Sequence, residues 1–299
     1  MNAAPSLALL RLAYRALRPS QWAKNGLVVL PAVLGHRIAE AGVLGRAALA
    51  FVAFGLCASG GYVVNDLVDR KRDRRHPTKR TRPFASGALS ASFGAALAVA
   101  LVGAGLGLAA ATLPAAFAVL LVLYLAGTAT YSAWARGVVG LDAILLAALY
   151  VARVLGGGAA TGVPVSEWFL GFSLFFFLGL ALLKRYAELR LLRSEVDARD
   201  NGRGYGLDDA EMVRALGPST GLMAVLVLVL YLTSPEVAVL YDHPSRLWFV
   251  APLLLFWTLR AWFDAHRGRM PDEPVLYTLK DPVSWAVGVA TGLVLFAAT

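Results

Sequence analysis

The chain has 299 residues, of which 58% are hydrophobic and only 16% charged, and its mean hydropathy is +0.64. Soluble proteins carry about 25% charged residues, so this composition excludes an ordinary soluble domain and predicts a polytopic membrane protein. The net charge of +9 is spread over connections between apolar segments and accompanies no known nucleic-acid-binding module, so we expect no nucleic-acid partner. The single cysteine, Cys57, excludes an intrachain disulfide and a cysteine metal cluster.

Residues 1–21 form a short stretch that is both apolar and basic. The stretch lacks the apolar core and small-residue cleavage site of a secretory signal, so we expect no cleavable leader. Its mixture of leucines and arginines predicts an amphipathic segment that lies along the inner membrane surface.

Nine apolar segments can be marked, and most of them reach the ~20 residues that cross a bilayer core. They cover approximately residues 22–38, 43–64, 91–111, 114–133, 138–158, 166–186, 212–232, 246–263 and 281–298. The predicted fold is an all-α membrane domain over residues 1–299 with about nine transmembrane helices. A count of eight or ten is also compatible with the pattern, because some segments are short and residues 112–114 alone separate two of them.

The distribution of Lys and Arg predicts the orientation of the chain. With the N-terminus inside, most of the 28 basic residues fall on the cytoplasmic side, as expected for a multi-pass protein of the cell (inner) membrane. The two most highly charged connections, residues 65–90 and 184–211, then both face the cytoplasm. We expect them to form the active-site loops.

The connection at 65–90 combines regularly spaced acids with many basic residues. If it begins as a helix, at about 100° per residue, one face carries four oxygen-bearing side chains, those of Asn65, Asp66, Asp69 and Asp73. Clustered carboxylates on a phosphate-handling surface suit Mg²⁺, which binds one or two carboxylates together with substrate phosphates. The alternative is a solvated loop whose positive charges only orient the protein. The acid spacing favours the metal site.

Two further features combine charge with apolar helices. Asp142 and Arg153 lie in the fifth apolar segment, about 16 Å apart along a helix, so each needs another partner, either a neighbouring helix or a substrate. The connection at 184–211 contains Lys184, Arg185 and Glu188 and is too long for a simple turn. It is either a mobile lid over a site or a charged, solvated loop.

The acidic segment resembles the first aspartate motif of the UbiA superfamily of intramembrane prenyltransferases. The resemblance rests on Asn65-Asp66-x-x-Asp69-x-x-x-Asp73 followed by His76-Pro77-x-Lys79-x-x-Arg82-Pro83, and on the number of apolar segments. It implies a helical bundle with a lateral opening to lipid and a polar cavity capped on the cytoplasmic side. It also implies that Mg²⁺ holds a diphosphate group there.

Two other segments resemble one branch of that superfamily, the decaprenyl-phosphate phosphoribosyltransferases. Typical members carry a second aspartate-rich motif after the sixth helix, where this chain has Lys184-Arg185-Tyr186-Ala187-Glu188-Leu189. The N-terminal Leu17-Arg18-Pro19-x-Gln21-Trp22-x-Lys24-Asn25 is similar to the same branch. The resemblance implies Mg²⁺-dependent transfer of 5-phosphoribosyl from phosphoribosyl pyrophosphate to a polyprenyl (decaprenyl-type) phosphate, for synthesis of a cell-envelope arabinose donor.

The resemblance also assigns roles to individual residues. The implied metal ligands are Asn65, Asp69 and Asp73, with Asp66 as the next candidate. The residues implied to bind phosphate are Lys79, Arg82, Lys184 and Arg185. Those implied to bind the acceptor phosphate are Arg18, Lys24 and Asn25. The remaining substrate-binding residues are Tyr186, Glu188, Tyr131 and Arg136, of which the last two match a family pair with one extra residue between them.

Two other activities are compatible with the sequence. One is transfer of a polyprenyl chain from its diphosphate to an aromatic acceptor, which uses the same first motif. The other is a transporter or lipid-binding protein without chemistry, for which Mg²⁺ dependence is expected to be weak or absent. The sequence does not decide the oligomeric state, and a homo-oligomer is compatible with it.

Overall fold

The computed structural model describes residues 4–75, 79–192, 202–270 and 274–299, with side chains from residue 10 onward. In this part of the chain the secondary structure is helical and includes no β-strand, which confirms the all-α prediction. The α-helices are α1 (Ala4–Leu17), α2 (Leu30–Leu34), α3 (Val43–Val68), α4 (Arg70–Asp73), α5 (Ala91–Thr112), α6 (Ala115–Ala133), α7 (Leu141–Thr161), α8 (Glu167–Leu191), α9 (Asp209–Leu232), α10 (Val237–Leu240), α11 (Val250–His266), α12 (Pro274–Lys280) and α13 (Pro282–Ala298). Four 3₁₀ segments join them, Pro19–Val28, Lys79–Thr81, Ala135–Gly137 and Pro244–Phe249.

The described helices include seven that are long and apolar enough to cross a membrane. An eighth span results if α12 and α13, which meet at an angle of 82°, count as one broken helix. Many large apolar side chains on these helices are exposed, as expected for surfaces that face lipid. The chain is therefore a multi-pass membrane protein, and the predicted count of nine is not confirmed.

The segment predicted at 22–38 accounts for the difference between nine spans and eight. It forms the end of the Pro19–Val28 3₁₀ helix and the short helix α2 instead of one long helix. Proline lacks a backbone N–H and cannot continue an α-helical ladder from the preceding turn, and Pro31 stands in this position. Hydropathy alone does not register this interruption.

The chain divides into two compact units, residues 1–132 with 152–164, and residues 133–151 with 165–299. In the first unit, α3 and α5 pack side by side. A Cβ at Gly105 would lie only 2.6 Å from Cys57 Sγ and 3.0 Å from Ala53 O, so this close contact requires glycine. One end of α1 packs against the same unit, because Ala16 is buried with Val63. The expectation of one domain over residues 1–299 stays a prediction.

In the second unit, α8 packs against α9 and α11. The indole of Trp262 on α11 occupies the space that a Cβ at Gly217 would need, since that atom would lie 2.0 Å from the ring. Leu183, Tyr186 and Val213 belong to the same buried cluster. Because α8 continues to Leu191, residues 184–191 are helical, and the connection predicted to start at 184 begins later. Residues 193–201 of the predicted lid lie outside the described part of the chain.

Candidate active site

The acidic segment begins on the last turn of α3. This helix ends at Val68, and Asp69 follows with a backbone conformation (φ −82°, ψ 2°) that separates α3 from the single turn α4. The side chains of Asp66 and Asp73 are nevertheless both buried, at 3% exposure, while Asn65 and Asp69 are partly exposed. The segment is thus a helix with a break at Asp69, and the four residues do not lie on one continuous helix.

Arg82 joins the two buried carboxylates. Its Nη1 donates to Asp66 Oδ1 at 3.1 Å and to Asp73 Oδ2 at 2.8 Å. Arg18 donates to the same oxygen of Asp66, and Arg72 Nη1 lies 3.4 Å from Asp69 Oδ1. The side chains of Arg18 and Arg82 are 28% and 30% exposed, so both side chains are partly accessible from outside the protein.

The acidic segment does not form a ready-made cation site. Among the described residues, no three His, Cys, Asp or Glu side chains form a group that could hold a metal ion. The reason lies in the ion pairs, since Arg18 and Arg82 bind the carboxylates of Asp66 and Asp73. The donor chemistry still fits Mg²⁺, because this ion binds one or two carboxylates and takes its other ligands from phosphate and water.

The N-terminal residues are fixed to α3. Arg18 adopts a left-handed conformation (φ 51°) at the end of α1, and its guanidinium lies over the Tyr62 ring at 5.3 Å. The indole N–H of Trp22 donates to Ser59 Oγ at 2.9 Å, and that hydroxyl donates to Leu17 O at 2.7 Å. These contacts place Arg18 beside the acidic segment.

A buried arginine lies deeper in the first unit. Arg153 on α7 is 4% exposed and donates to Asn25 Oδ1 at 3.1 Å and to Tyr124 OH at 2.8 Å. Its guanidinium also lies 4.6 Å from the centroid of the Tyr124 ring. Asn25 is 1% exposed, so its side chain contacts protein groups and not the membrane edge. Of the two alternatives left open for Arg153, a neighbouring segment or a substrate, the structure shows contacts with neighbouring segments.

The second unit contains a separate buried polar network. Arg185 on α8 is 1% exposed and binds Asp142 and Glu188, and Asp142 is fully buried. Arg203 Nη2 lies 3.0 Å from the other carboxylate oxygen of Glu188. Tyr205 OH donates to Asp142 Oδ1 at 2.6 Å. The network therefore ties the segment before α9 to α7 and α8.

Tyr205 is the residue that closes this network. Its hydroxyl also accepts a bond from the backbone N–H of Gly140 at 3.0 Å. Burial, followed by the bond to Asp142, raises the pKa of Tyr205 far above its ordinary value, so the hydroxyl stays protonated and continues to donate.

We expect Tyr205→Phe to lower the stability of the protein by about 1–3 kcal/mol, because it leaves a carboxylate oxygen and a backbone N–H without their partner. Thermal unfolding of the purified protein in detergent measures this loss. The matched control is Tyr14→Phe, since Tyr14 is 64% exposed. Equal unfolding temperatures for the two variants would contradict the role assigned to Tyr205.

The remaining predicted site residues are dispersed. Tyr186 is buried, and its hydroxyl lies 2.9 Å from His266 Nδ1. Lys184 is partly exposed on α8. Tyr131 lies on α6 and Arg136 in the Ala135–Gly137 turn, both half-buried. Lys79 is exposed and Lys24 half-buried, whereas His76 and Pro77 lie outside the described residues.

The structure thus brings together two sets of predicted residues, each within one unit. One contains Arg18, Asp66, Asp73 and Arg82, and the other contains Arg185 and Glu188. The sequence did not predict that Tyr205, Arg203 and His266 bind other site residues. The first two lie in a glycine-rich stretch without periodicity, and no signal in the sequence pointed to them.

Comparisons with known proteins give a consistent result. The model of the UbiA prenyltransferase family matches residues 28–279. The nodulation protein NoeC of Azorhizobium caulinodans is 38% identical over 93% of this chain and 91% of its own length. The decaprenyl-phosphate phosphoribosyltransferase of Mycolicibacterium smegmatis is 37% identical over 94% of this chain and 90% of its own length.

Two other similarities differ in extent. The protein y4nM of Sinorhizobium fredii is 35% identical over 91% of this chain, but the chain spans only about half of that protein, 53% of its length. A UbiA homolog from Archaeoglobus fulgidus, solved bound to GPP and Mg²⁺, superposes with a TM-score of 0.69 and 19% identity, over 96% of this chain and 99% of that one. At this identity the likeness concerns the fold.

Proposed function

Because the chain belongs to the UbiA prenyltransferase family, whose members are membrane enzymes, we propose that it transfers a 5-phosphoribosyl group from phosphoribosyl pyrophosphate to a polyprenyl phosphate. The observation that carries this proposal is the similarity to the M. smegmatis phosphoribosyltransferase along nearly the whole length of both chains. A second observation supports it. Near its end, α8 carries Lys184, Arg185 and Glu188 in place of a second acidic metal-binding motif. An intact motif of that kind would favour prenyl transfer.

We propose that Asn65, Asp66, Asp69 and Asp73 hold Mg²⁺ together with the diphosphate of the donor. When bound, the ion would supply charge neutralisation for the leaving pyrophosphate. A UbiA homolog of the same fold has been solved with Mg²⁺, which supports a divalent cation in this family.

The arginines beside the acids would bind phosphate directly. A guanidinium presents five N–H donors whose geometry matches phosphate as well as carboxylate oxygens. Arg18 and Arg82 now bind Asp66 and Asp73 and are partly exposed, so an incoming diphosphate can compete for their N–H groups. In this proposal the same two arginines neutralise the aspartates before the donor arrives and hold its phosphates afterwards. Arg18, expected from the sequence to bind the acceptor phosphate, is thereby reassigned to the donor because it lies beside Asp66.

The other predicted residues keep their proposed roles. Lys79 and Lys184 would attract the donor, and Lys24 the acceptor phosphate. Tyr131, Arg136 and Glu188 would contact the substrates, whereas Tyr186 is buried and would act through His266, to which its hydroxyl is hydrogen-bonded. Asn25 and Arg185 are buried among protein partners and would act through the side chains that they bind.

The chemistry needs no strong general base. The bond between the ribose C1 and the pyrophosphate oxygen breaks, and its electron pair leaves with pyrophosphate. An oxygen of the lipid phosphate then attacks the oxocarbenium-like carbon, and this oxygen is already anionic at neutral pH. Catalysis would rest on positioning and on stabilisation of the leaving group's charge. The donor is water-soluble, so we propose that the acidic segment faces the cytoplasm at the inner membrane.

One assay tests the proposal. Purified protein is supplied with polyprenyl monophosphate and labelled phosphoribosyl pyrophosphate, and in a parallel reaction with polyprenyl diphosphate and 4-hydroxybenzoate. We expect Mg²⁺-dependent label in the lipid and release of pyrophosphate in the first reaction, and no prenylated product in the second. The opposite pattern would assign the chain to aromatic prenyl transfer, and no product in either reaction would contradict both activities.

A further inference from the structure

The second unit contains a cavity that the proposed reaction does not use. The cavity has a volume of about 760 Å³ and lies beside α11, α12 and the beginning of α13. Its lining combines apolar side chains of α11 with three arginines and two aspartates. A lining of this kind can receive a molecule that has both a charged and an apolar part.

One wall of the cavity is a connected set of charged and polar groups. Arg260 binds both carboxylate oxygens of Asp281, at 2.6 and 2.9 Å, and donates to Tyr277 OH at 2.7 Å. Tyr277 OH in turn donates to Asp264 Oδ2 at 2.5 Å, and Arg269 also binds Asp264. The two carboxylates are therefore neutralised by Arg260 and Arg269, and the wall is held by several bonds at once.

Arg267 adds the charge that this wall does not balance. It is exposed, and its guanidinium lies 5.6 Å from the centroid of the Phe263 ring. Among the described residues, no carboxylate is paired with it. Among the described residues of the lining, Arg260 and Arg269 bind the two aspartates and Arg267 has no carboxylate beside it, so this part of the cavity favours an anion.

The apolar side of the cavity continues into the membrane-spanning part of α11. Phe256, Leu259 and Phe263 follow each other at helical spacing and are 52%, 45% and 56% exposed. They belong to a segment, Pro244–His266, that is long and apolar enough to span a bilayer. An apolar stripe that ends at an arginine is complementary to a phospholipid, because the stripe can contact an acyl chain and the arginine can bind the phosphate.

We propose that this cavity binds one anionic glycerophospholipid of the surrounding bilayer. Its phosphate would be held by Arg267, and an acyl chain would lie along Phe256, Leu259 and Phe263. Free phosphate could satisfy only the arginine, whereas a phospholipid also covers the exposed apolar stripe. The inference does not depend on the proposed reaction, because it concerns binding in the second unit alone.

The test measures retained lipid by native mass spectrometry. The protein is reconstituted in nanodiscs of equal phosphatidylglycerol and phosphatidylcholine content, released into mild detergent, and scored for each lipid adduct. Each Lys or Arg near a membrane surface contributes about 1 kcal/mol to anionic-lipid binding, so Arg267→Gln should lower the phosphatidylglycerol adduct about fivefold. The adduct should return in Arg267→Lys, which restores the charge.

The matched control is Arg214→Gln. This arginine belongs to the same unit and is 54% exposed, but it lies outside the cavity lining. Equal loss of phosphatidylglycerol in both Gln variants would reduce the effect to general surface charge and overturn the proposal. Displacement of the lipid by millimolar inorganic phosphate would overturn it in favour of a free anion. Displacement by polyprenyl phosphate at equal molar ratio would assign the cavity to the acceptor instead.

Discussion

Asp69→Asn and Asp73→Asn are each expected to lower Mg²⁺-dependent turnover roughly 10²–10³-fold while the protein stays folded in detergent. The change removes one negative charge and keeps the shape of the side chain. In Asp73→Asn the amide retains an oxygen that can accept from Arg82, so the local structure is preserved although the affinity for a divalent cation falls. Initial rates across a range of Mg²⁺ concentrations measure the effect.

Size-exclusion chromatography and thermal unfolding provide the check on folding for these variants. Asp242→Asn is the matched control, because Asp242 is an exposed carboxylate that lies in the second unit and outside both predicted active-site loops. If both site variants retain unchanged Mg²⁺-dependent turnover, the acidic segment is not the metal site. If Asp242→Asn loses as much activity as they do, the effect is not specific to the segment.

Arg185→Met is expected to destabilise the protein by about 3–5 kcal/mol, because it leaves the buried carboxylate of Asp142 without its cation. For a chain of this size the loss corresponds to a decrease of roughly 10 °C in unfolding temperature. Asp142→Leu alone should cost less, because Arg185 keeps the carboxylate of Glu188 as a partner. The double variant should lose less than the sum of the two, since neither charge is then left alone.

Thermal unfolding of the four proteins in this cycle gives the coupling energy. Arg214→Met serves as a control, because its ion pair with Glu211 is exposed and 3.7 Å long, and such pairs contribute about 0–1 kcal/mol. Strictly additive effects of Asp142→Leu and Arg185→Met would show that the buried pair is not an energetic unit.

The sequence predicted the helical membrane fold because long apolar segments register directly in hydropathy. It did not predict where helices break. Residues 22–38 were predicted from their apolar composition to cross the membrane, yet Pro31 interrupts the helical hydrogen bonds of the backbone. Hydropathy does not show that the segment is divided into short helices. The break at Asp69 was missed for a similar reason, because a period of 100° per residue presumes a continuous helix.

For the site, the sequence indicated which residue types were unusual but not which of them meet. The acids between 65 and 73 and the arginines at 18 and 82 were all singled out, but Arg82 and Arg18 reach Asp66 from 16 and 48 residues away. Such pairings follow from the tertiary fold and leave no periodic trace. Asp142 likewise required a partner on physical grounds, and only the structure identifies it as Arg185.

The separation between Asp142 and Arg185 has a consequence for the synthesis of the chain. Arg185 follows Asp142 by 43 residues, which at ~5–20 residues per second means that the carboxylate emerges from the ribosome about 2–9 seconds before its arginine. Asp142 stands in the first turn of α7, where the positive end of the helix dipole favours a carboxylate. This end of the helix can hold the charge near the membrane edge during that interval. The elongation rate of the ribosome then sets the time between the synthesis of Asp142 and that of Arg185, and full burial of the carboxylate follows only after this time.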